Sequence, residues 1–336
     1  MHLMLSILGG LLVLFVYVDV LWTTMGQGGG PFTTRIMSGV WKALLSSQRR
    51  FGATRLLSSA GIIITILAVV LWILFLWMGW VLVFYGTEGA IVHAQTNTPA
   101  GFWEQVYFTG FTIFTLGMGD YVPAGLLWEV LTAVSAISGL FLVTFSITFL
   151  IPIVQSATRK CQLAVYIRSI GRTPGEIVRH TWSDGNCEIL AQHLPSLTSE
   201  LVMLKQRHLT YPALHYFHSR DDDAAVALGV AALDEALTII EYGLESQGRY
   251  CMAPGVYRPT RQAINAFLST LSTAFIEPAH EPPPPPSLAG LREQGLPVVD
   301  EAVFRERVAK LSDHRRLLLG LVENDGWRWD LLDDRG

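Results

Sequence analysis

Long apolar segments alternate with polar stretches along the chain. One runs from Leu3 to Val18, and two others contain residues 56–87 and 130–158, where Asp, Glu, Lys and Arg are all absent. At about 1.5 Å of rise per residue, each of the two longer segments exceeds the roughly 20 residues that a helix needs to cross a bilayer. The pattern predicts an all-α membrane protein with an N-terminal extra transmembrane helix at residues 1–22, an outer helix at 59–85 and an inner helix at 124–153.

The start of the chain favours a retained helix over a signal peptide, because a basic start and a small-residue cleavage site are both missing. Residues 23–58 are too polar to span. Pro31 suits a first helical position, and Ile36, Val40 and Leu44 recur at near-helical spacing. This basic amphipathic segment is interpreted either as a helix on the cytosolic membrane surface or as a helix packed on the protein itself.

Loop charges predict the topology. Residues 23–58 and 154–175 contain Lys and Arg without an acid, whereas residues 86–123 contain Glu88, Glu104 and Asp120 without a base. The positive-inside rule therefore places the segment between the long spans outside, and the C-terminal half in the cytosol. Asp19 lies near the inner end of the first helix, where an ionisable residue is a functional candidate by default. Its position near Trp22 favours a structural role at the interface.

A short helix and a Gly-rich strand are predicted between the outer and inner helices. Thr98-Pro99 is typical of a helix start, and residues 100–114 are too short to cross a bilayer as a helix. We predict a re-entrant pore helix whose C-terminal end carries partial negative charge and favours a cation. A Gly-rich extended segment follows at residues 115–120, Thr-Leu-Gly-Met-Gly-Asp, where glycine permits positive φ.

The stretch from Tyr107 to Pro123 resembles the pore loops of two-helix potassium channels, including the two-pore-domain branch. The resemblance covers roughly residues 60–155 and implies a pore domain at 59–156. It implies that backbone carbonyls replace the hydration shell of K⁺, that the Thr115 hydroxyl adds a ligand, and that Asp120 braces an acidic mouth. The implied K⁺ filter comprises Thr115, Leu116, Gly117, Met118, Gly119 and Asp120.

Two positions depart from the family pattern. Met118 stands where Tyr, Phe or Leu is usual, and Phe114 stands where Thr or Ser is usual before the filter. A flexible thioether cannot hydrogen-bond as a tyrosine does. The departures leave open a weakly selective cation channel beside a K⁺-selective one.

One chain supplies one filter strand, and non-helical backbone at membrane depth must be buried in protein or line water. By analogy with potassium channels we expect a homotetramer, with K⁺ ions and the lipid bilayer as its partners. Gly139 is a candidate inner-helix hinge, with close helix packing as the alternative. Pro152 is a candidate for a kink or gate, with a simple helix end as the alternative.

The C-terminal half is predicted to be an α-helical cytosolic domain at residues 157–277, a stiff Pro-rich linker at 278–298 and a C-terminal helix at 299–336. A cytosolic ligand would act on the gate through it. Cys161, Cys187 and Cys251 are far apart in sequence, so free thiols are expected. The chain has no Gly-x-Gly-x-x-Gly pattern after a strand, which argues against a nucleotide-binding domain.

One cluster in this half suggests metal binding: His215, His218 and Asp221. Histidines three apart on a helix can share a divalent cation. The alternative is that the Asp221–Asp223 run caps the next helix.

The function predicted from sequence is a passive, K⁺-selective channel of the plasma (inner) membrane, gated by the inner helix, the cytosolic domain or both. We expect no enzymatic activity, no cofactor and no nucleic-acid partner, because we find no nucleophile motif with a base and no basic, aromatic-interleaved stripe. The alternative from another class is a non-conducting membrane-anchored sensor or assembly protein.

Overall fold

The computed structural model describes residues 2–26, 29–51, 54–117, 119–183, 185–245, 251–273 and 275–333. It is built almost entirely of helices, which confirms the all-α class. The chain divides into two compact units. A membrane unit comprises the chain through Lys42 together with Ile62–Val154, and a C-terminal unit comprises Ala43–Gly61 and the chain from Gln155.

Three helices are long and apolar enough to cross a membrane, as predicted: α1 at His2–Met25, α3 at Thr54–Tyr85 and α5 at Leu126–Ile170. Between α1 and α3 lies α2 at Pro31–Phe51, and between α3 and α5 lies α4 at Phe102–Ile113. A small two-stranded sheet, which the sequence analysis missed, joins β1 at Ile91–His93 to β2 at Tyr121–Pro123.

Helix α5 passes through Pro152 and ends only at Ile170, so the prediction of a helix end near residue 153 is wrong. Proline deprives the Thr148 carbonyl of its usual helical donor. Two threonine hydroxyls in the preceding turns bond back along the helix: Thr144 Oγ1 donates to Leu140 O at 2.9 Å, and Thr148 Oγ1 donates to Thr144 O at 3.0 Å. Proline inside a helix is tolerated in membrane proteins.

Helices α1 and α3 cross at two glycines. A Cβ on Gly9 would lie 2.5 Å from the Gly79 carbonyl, and a Cβ on Gly79 would lie 2.8 Å from Val13. Ser6 Oγ donates to Val83 O at 3.1 Å beside the crossing. Small residues let membrane helices approach until backbone atoms touch, which fastens the N-terminal helix to the outer helix.

Asp19 is buried and fastens α2 to α1 and α3. Its carboxylate accepts from the backbone N–H of Phe32 at 3.2 Å, from the Thr33 hydroxyl, and from Trp72 Nε1 at 3.1 Å. It therefore satisfies orphan donors at the start of α2, where negative charge is favoured. The contacts support the structural role over a functional one.

Helix α2 packs through one face. Thr33, Met37, Trp41 and Leu45 are buried at intervals of four, whereas Arg35 and Lys42 are exposed. Such spacing is the signature of a helix with one packed face. The structure thus supports the interpretation of α2 as a helix packed on the protein.

The C-terminal unit has one core, to which the C-terminal end of α5 contributes Leu163, Ala164 and Ile167. Its central element is α8, Val226–Thr238, in which every residue is buried, followed by a π-helical turn at Ile239–Gly243. The remaining helices are α6 at Pro174–Thr181, α7 at Glu188–Thr210, α9 at Pro254–Ser272, α10 at Ala289–Glu293, α11 at Glu301–Ala309 and α12 at Ser312–Asn324.

The Pro-rich segment and the C-terminal helices belong to this core, so the separate linker at 278–298 and helix at 299–336 are corrected. Arg315 of α12 donates to the carbonyls of Pro283 at 2.9 Å and Pro284 at 2.8 Å. Prolines lack N–H groups, but their carbonyls remain strong acceptors. Leu288 and Phe304 are buried in the hydrophobic core of the same unit. The proline run around Pro283 and Pro284 therefore packs on this core, and we call it the proline strap.

The expectation of three free thiols is wrong for two of them. Cys187 and Cys251 form a disulfide with a Cα–Cα distance of 5.4 Å, and Cys161 is free. The separation lies within the usual 4.4–6.8 Å range. The bond joins the start of α7 to the segment before α9.

Candidate pore and filter

The N-cap of the pore helix α4 is Gly101, three residues after the predicted Thr98 cap. Glu104 accepts a hydrogen bond from the Gly101 N–H at 2.5 Å. Thr98 and Pro99 instead run beside β1, where His93 N–H donates to Thr98 O at 2.9 Å and Val92 bridges Pro99. A carboxylate in the first turn of a helix interacts favourably with the positive end of the helix dipole. The start of α4 is therefore fixed by Glu104 rather than by a threonine cap.

The end of α4 is a Schellman motif. Leu116 N–H donates to Phe111 O and Thr115 N–H donates to Thr112 O, both at 2.9 Å. The motif needs a left-handed residue after the cap, usually glycine. Here that residue is Thr115, with a φ of 54°. A β-branched residue there is a genuine outlier, and such strain concentrates at functional sites.

The filter backbone alternates in handedness where it is described. Gly117, with a φ of +72°, is left-handed like Thr115, whereas Leu116 between them is not. When left-handed residues alternate with residues of negative φ, successive peptide groups point in the same direction. A row of carbonyl ligands needs such an arrangement. Met118 lies outside the described residues.

The outer end of the filter is fastened to β1. Ala94 N–H donates to the Asp120 carbonyl at 2.9 Å, and β2 pairs with β1 in the antiparallel register His93 to Tyr121. The Asp120 side chain is exposed. The filter is therefore anchored at one end by α4 and at the other by the β1–β2 sheet.

A second brace links Glu104 of α4 to Tyr121 of β2. Hydrogen bonds from the Gly101 N–H and the Tyr121 hydroxyl lower the pKa of Glu104, and the Glu104 carboxylate raises the pKa of Tyr121. The brace spans the filter from the start of the pore helix to the strand beyond Asp120. Sequence inspection missed it because the partners are 17 residues apart on different elements.

The Glu104 brace predicts acid sensitivity at the mouth. A carboxyl whose pKa is lowered by folding stabilises the folded state at pH values above its unfolded pKa of about 4.3. This stabilisation is lost as the pH falls through the folded-state pKa. We expect Glu104→Gln to lower steady-state ionic current at pH 7 by about twofold or more, because a neutral acceptor binds the Tyr121 hydroxyl and the Gly101 N–H more weakly and loosens the mouth. The check is bilayer current against external pH, with Glu88→Gln as control. Equal currents in Glu104→Gln and wild type would contradict the brace.

The inner end of α4 rests on α5 and α3. A Cβ on Gly139 would lie 1.9 Å from the Ile113 carbonyl, and a Cβ on Gly110 would lie 2.9 Å from the Trp77 ring. Trp77 Nε1 donates to Val106 O at 3.0 Å. Gly139 is thus a close-packing site, and its role as a hinge stays a prediction. Pro152 lies inside a continuous helix, and a gate there also stays a prediction.

The structure does not assemble the proposed divalent cluster. His215 Nε2 accepts from Asn324 Nδ2 at 2.8 Å and the ring stacks on Phe275, whereas His218 lies against Trp327. Within the described ranges, no group of three His, Cys, Asp or Glu side chains is placed to hold a metal.

The acidic run beside those histidines pairs with the end of α5 instead. Asp222 accepts from Arg168 at 3.1 Å, and Asp223 pairs with Arg172. The next helix, α8, starts from Ala225 without a side-chain cap. The run lies at the start of a short 3₁₀ helix, Asp222–Ala224, and makes no side-chain cap on α8.

Residues 70–156 match a family model described as an ion channel. The match covers the C-terminal half of α3, the β1–β2 sheet, α4, the candidate filter at residues 115–120 and the N-terminal part of α5. The chain belongs to this ion channel family. It is also 34% identical over 326 residues to the uncharacterized membrane protein YdjJ of Bacillus subtilis strain 168, covering 96% of this chain and 94% of that protein. No solved structure matches the chain.

The similarity of this ion channel protein to the Bacillus protein extends beyond residues 70–156. Because the similarity spans nearly the whole chain, it includes α1 and α2 before the family match and the C-terminal unit after it. Membership in an ion channel family also agrees with the expectation that the chain is not an enzyme.

Proposed function

We propose that the chain forms a passive, K⁺-selective channel of the plasma membrane, with the filter at residues 115–120. The observation that carries the proposal is the alternation at the end of α4, where Thr115 and Gly117 are left-handed and Leu116 is not. The pore helix points its C-terminal, partially negative end toward this strand. Backbone carbonyls are the ligands that replace water around K⁺ in such filters.

Four copies of the chain complete the pore in this proposal. One filter strand leaves its carbonyls without facing partners, and irregular backbone at membrane depth must be enclosed by protein or line water. Phe114 directly precedes the filter and Leu116 lies within it, and these large apolar residues are 42% and 66% exposed in the single chain. Apolar surface next to a polar strand is what neighbouring subunits would cover.

The C-terminal unit is assigned to the cytosol by the basic residues that flank the spans. Helix α5 carries the proposed gating region and continues into the core of that unit, where Leu163 and Ile167 are buried. A ligand or modification that reshapes the core would therefore act on the inner helix directly. In the cytosol the Cys187–Cys251 disulfide would face reducing thiols.

Gly117 provides the test of conduction. We expect purified wild type to carry K⁺ flux in liposomes and Gly117→Asp to reduce it by about tenfold or more, because the substitution strains a left-handed position and adds charge to the filter. Gly89→Asp is the matched control: the φ values are +75° at Gly89 and +72° at Gly117, and a Cβ meets nothing within 4 Å at either. Equal background flux from wild type and Gly117→Asp would favour the non-conducting sensor or assembly protein.

A further inference from the structure

The middle of the inner helix α5 is held from two sides at Ser138. From α1, the Tyr17 hydroxyl donates to the backbone carbonyl of Ser138 at 2.5 Å. From α3, Trp80 Nε1 donates to the Ser138 hydroxyl at 2.9 Å, and that hydroxyl donates to the Ser135 carbonyl at 2.7 Å. Trp80 and Ser138 are buried, and Tyr17 is half-buried. Tyr17, Trp80 and Ser138 thus form a group of hydrogen bonds, which we call the clasp, that holds α5 to α1 and α3.

The residue after the clasp touches the pore helix. Gly139 lies so close to Ile113 that a Cβ would stand 1.9 Å from its carbonyl oxygen. Thr115, the first filter residue, follows Ile113 by two positions. Helices α1 and α3 and the end of α4 therefore meet α5 within two consecutive residues, at the point where the inner helix supports the filter.

The Tyr17 bond depends on the conformation of α5. A helical carbonyl accepts from the N–H four residues later, and its second lone pair is free for another donor. Tyr17 uses the Ser138 carbonyl in this way. Bending or rotating α5 at Gly139 would move that carbonyl away from α1 and break the bond. Lipid cannot replace the lost partner.

We propose that Tyr17 is a positioning residue for pore opening, through which the N-terminal helix α1 holds α5 in its unbent conformation against the end of α4. The proposal rests on the proposed channel function. It gives α1, which lies outside the family match, a role as a built-in regulatory helix. Tyr17 touches no permeating ion and acts only through α5.

The test compares single-channel recordings of the full-length protein in planar bilayers. Tyr17→Phe removes the hydroxyl and keeps the ring. We expect the open probability to change by about threefold to tenfold, as interhelical hydrogen bonds in membranes imply, with unitary conductance and reversal potential unchanged. Tyr85→Phe is the matched control, because the Tyr85 ring packs on Phe102 in the same unit.

A double-mutant cycle separates the clasp from general loosening. Ser138→Ala removes the acceptor of Trp80 but keeps the carbonyl that Tyr17 binds. The effects of Trp80→Phe and Ser138→Ala on open probability are therefore expected to be non-additive, whereas Tyr17→Phe adds its full effect in the Ser138→Ala background. This pattern would not arise from loosened packing alone.

Unchanged open probability in Tyr17→Phe, with a conducting wild type, would overturn the proposal. So would a Tyr17→Phe effect that disappears in the Ser138→Ala background, because the hydroxyl would then act through the Ser138 side chain. A wild type without current would overturn the channel function itself, and this proposal with it.

Discussion

Replacing Gly139 by alanine is expected to reduce K⁺ flux by about tenfold or more and to destabilise the membrane unit by about 1–3 kcal/mol, the usual cost of overpacking. The added Cβ would lie 1.9 Å from Ile113 O, 2.6 Å from its carbonyl carbon and 2.8 Å from its Cα. All three are backbone atoms, so a side-chain rotation cannot relieve the clash. The end of α4 must shift, and Thr115 shifts with it.

Flux and thermal unfolding of the purified protein check this prediction together. Gly10→Ala makes the same change in α1, where a Cβ meets nothing within 4 Å, and should leave both readings near wild type. Close packing predicts that Gly139→Ala lowers the melting temperature and the flux. A hinge predicts altered open probability with an unchanged melting temperature. Normal flux and stability would contradict both.

Replacing Arg315 by methionine is expected to destabilise the C-terminal unit by about 3–5 kcal/mol, the cost of breaking a buried ion pair. Arg315 Nε donates to Glu235 Oε1 at 2.7 Å, and the side chains are 3% and 1% exposed. Glu235 Oε2 has no hydrogen-bond partner among the residues described. Without Arg315, a buried carboxylate and two carbonyls of the proline strap lose their donor.

The Arg315 deficit should depend on pH. Burial raises the pKa of Glu235, and Arg315 opposes that rise. Removing Arg315 raises the pKa further. A group whose pKa is raised by folding stabilises the folded state at pH values below its unfolded pKa, and this stabilisation is lost as the pH rises through the folded-state pKa. The stability deficit of the Arg315 variant should therefore shrink as the pH falls.

Thermal unfolding of the full chain at pH 5 and pH 8 measures the Arg315 effect. Arg305→Met is the control, because Arg305 pairs with Glu301 at 3.9 Å on the surface of α11, where the side chains are 70% and 63% exposed. Exposed pairs contribute about 0–1 kcal/mol. The double variant Arg315→Met/Glu235→Leu should regain part of the loss. Similar melting temperatures for Arg315→Met and Arg305→Met would contradict the buried pair.

Local patterns predicted the membrane architecture because each depends on consecutive residues. Uninterrupted apolar runs specify α1, α3 and the first part of α5, and the length of 100–114 excludes a span. The candidate filter was recognisable because its backbone conformation requires glycine at fixed spacing. Boundaries failed where a distant partner decides them: Pro99 bridges Val92 of β1, and the N-cap of α4 is Gly101.

Long-range contacts could not be predicted from the sequence for the same reason. Cys187 and Cys251 are separated by 64 residues, and Arg315 is 80 residues from Glu235. Neither pair leaves a periodic signal. The Tyr17 contact with Ser138 spans 121 residues and joins a helix outside the family match to the inner helix. Polar residues within apolar runs were the available signal, and Asp19 was singled out on that ground.

The K⁺ over Na⁺ selectivity of the wild-type pore tests the account most directly. With K⁺ on one side of a planar bilayer and Na⁺ on the other, a carbonyl filter at residues 115–120 predicts a reversal potential far from zero, on the side at which K⁺ carries the current. Gly89→Asp should give the same value. A reversal potential near zero would contradict K⁺ selectivity and leave a weakly selective cation pore, in which Met118 and Phe114 replace the usual filter supports.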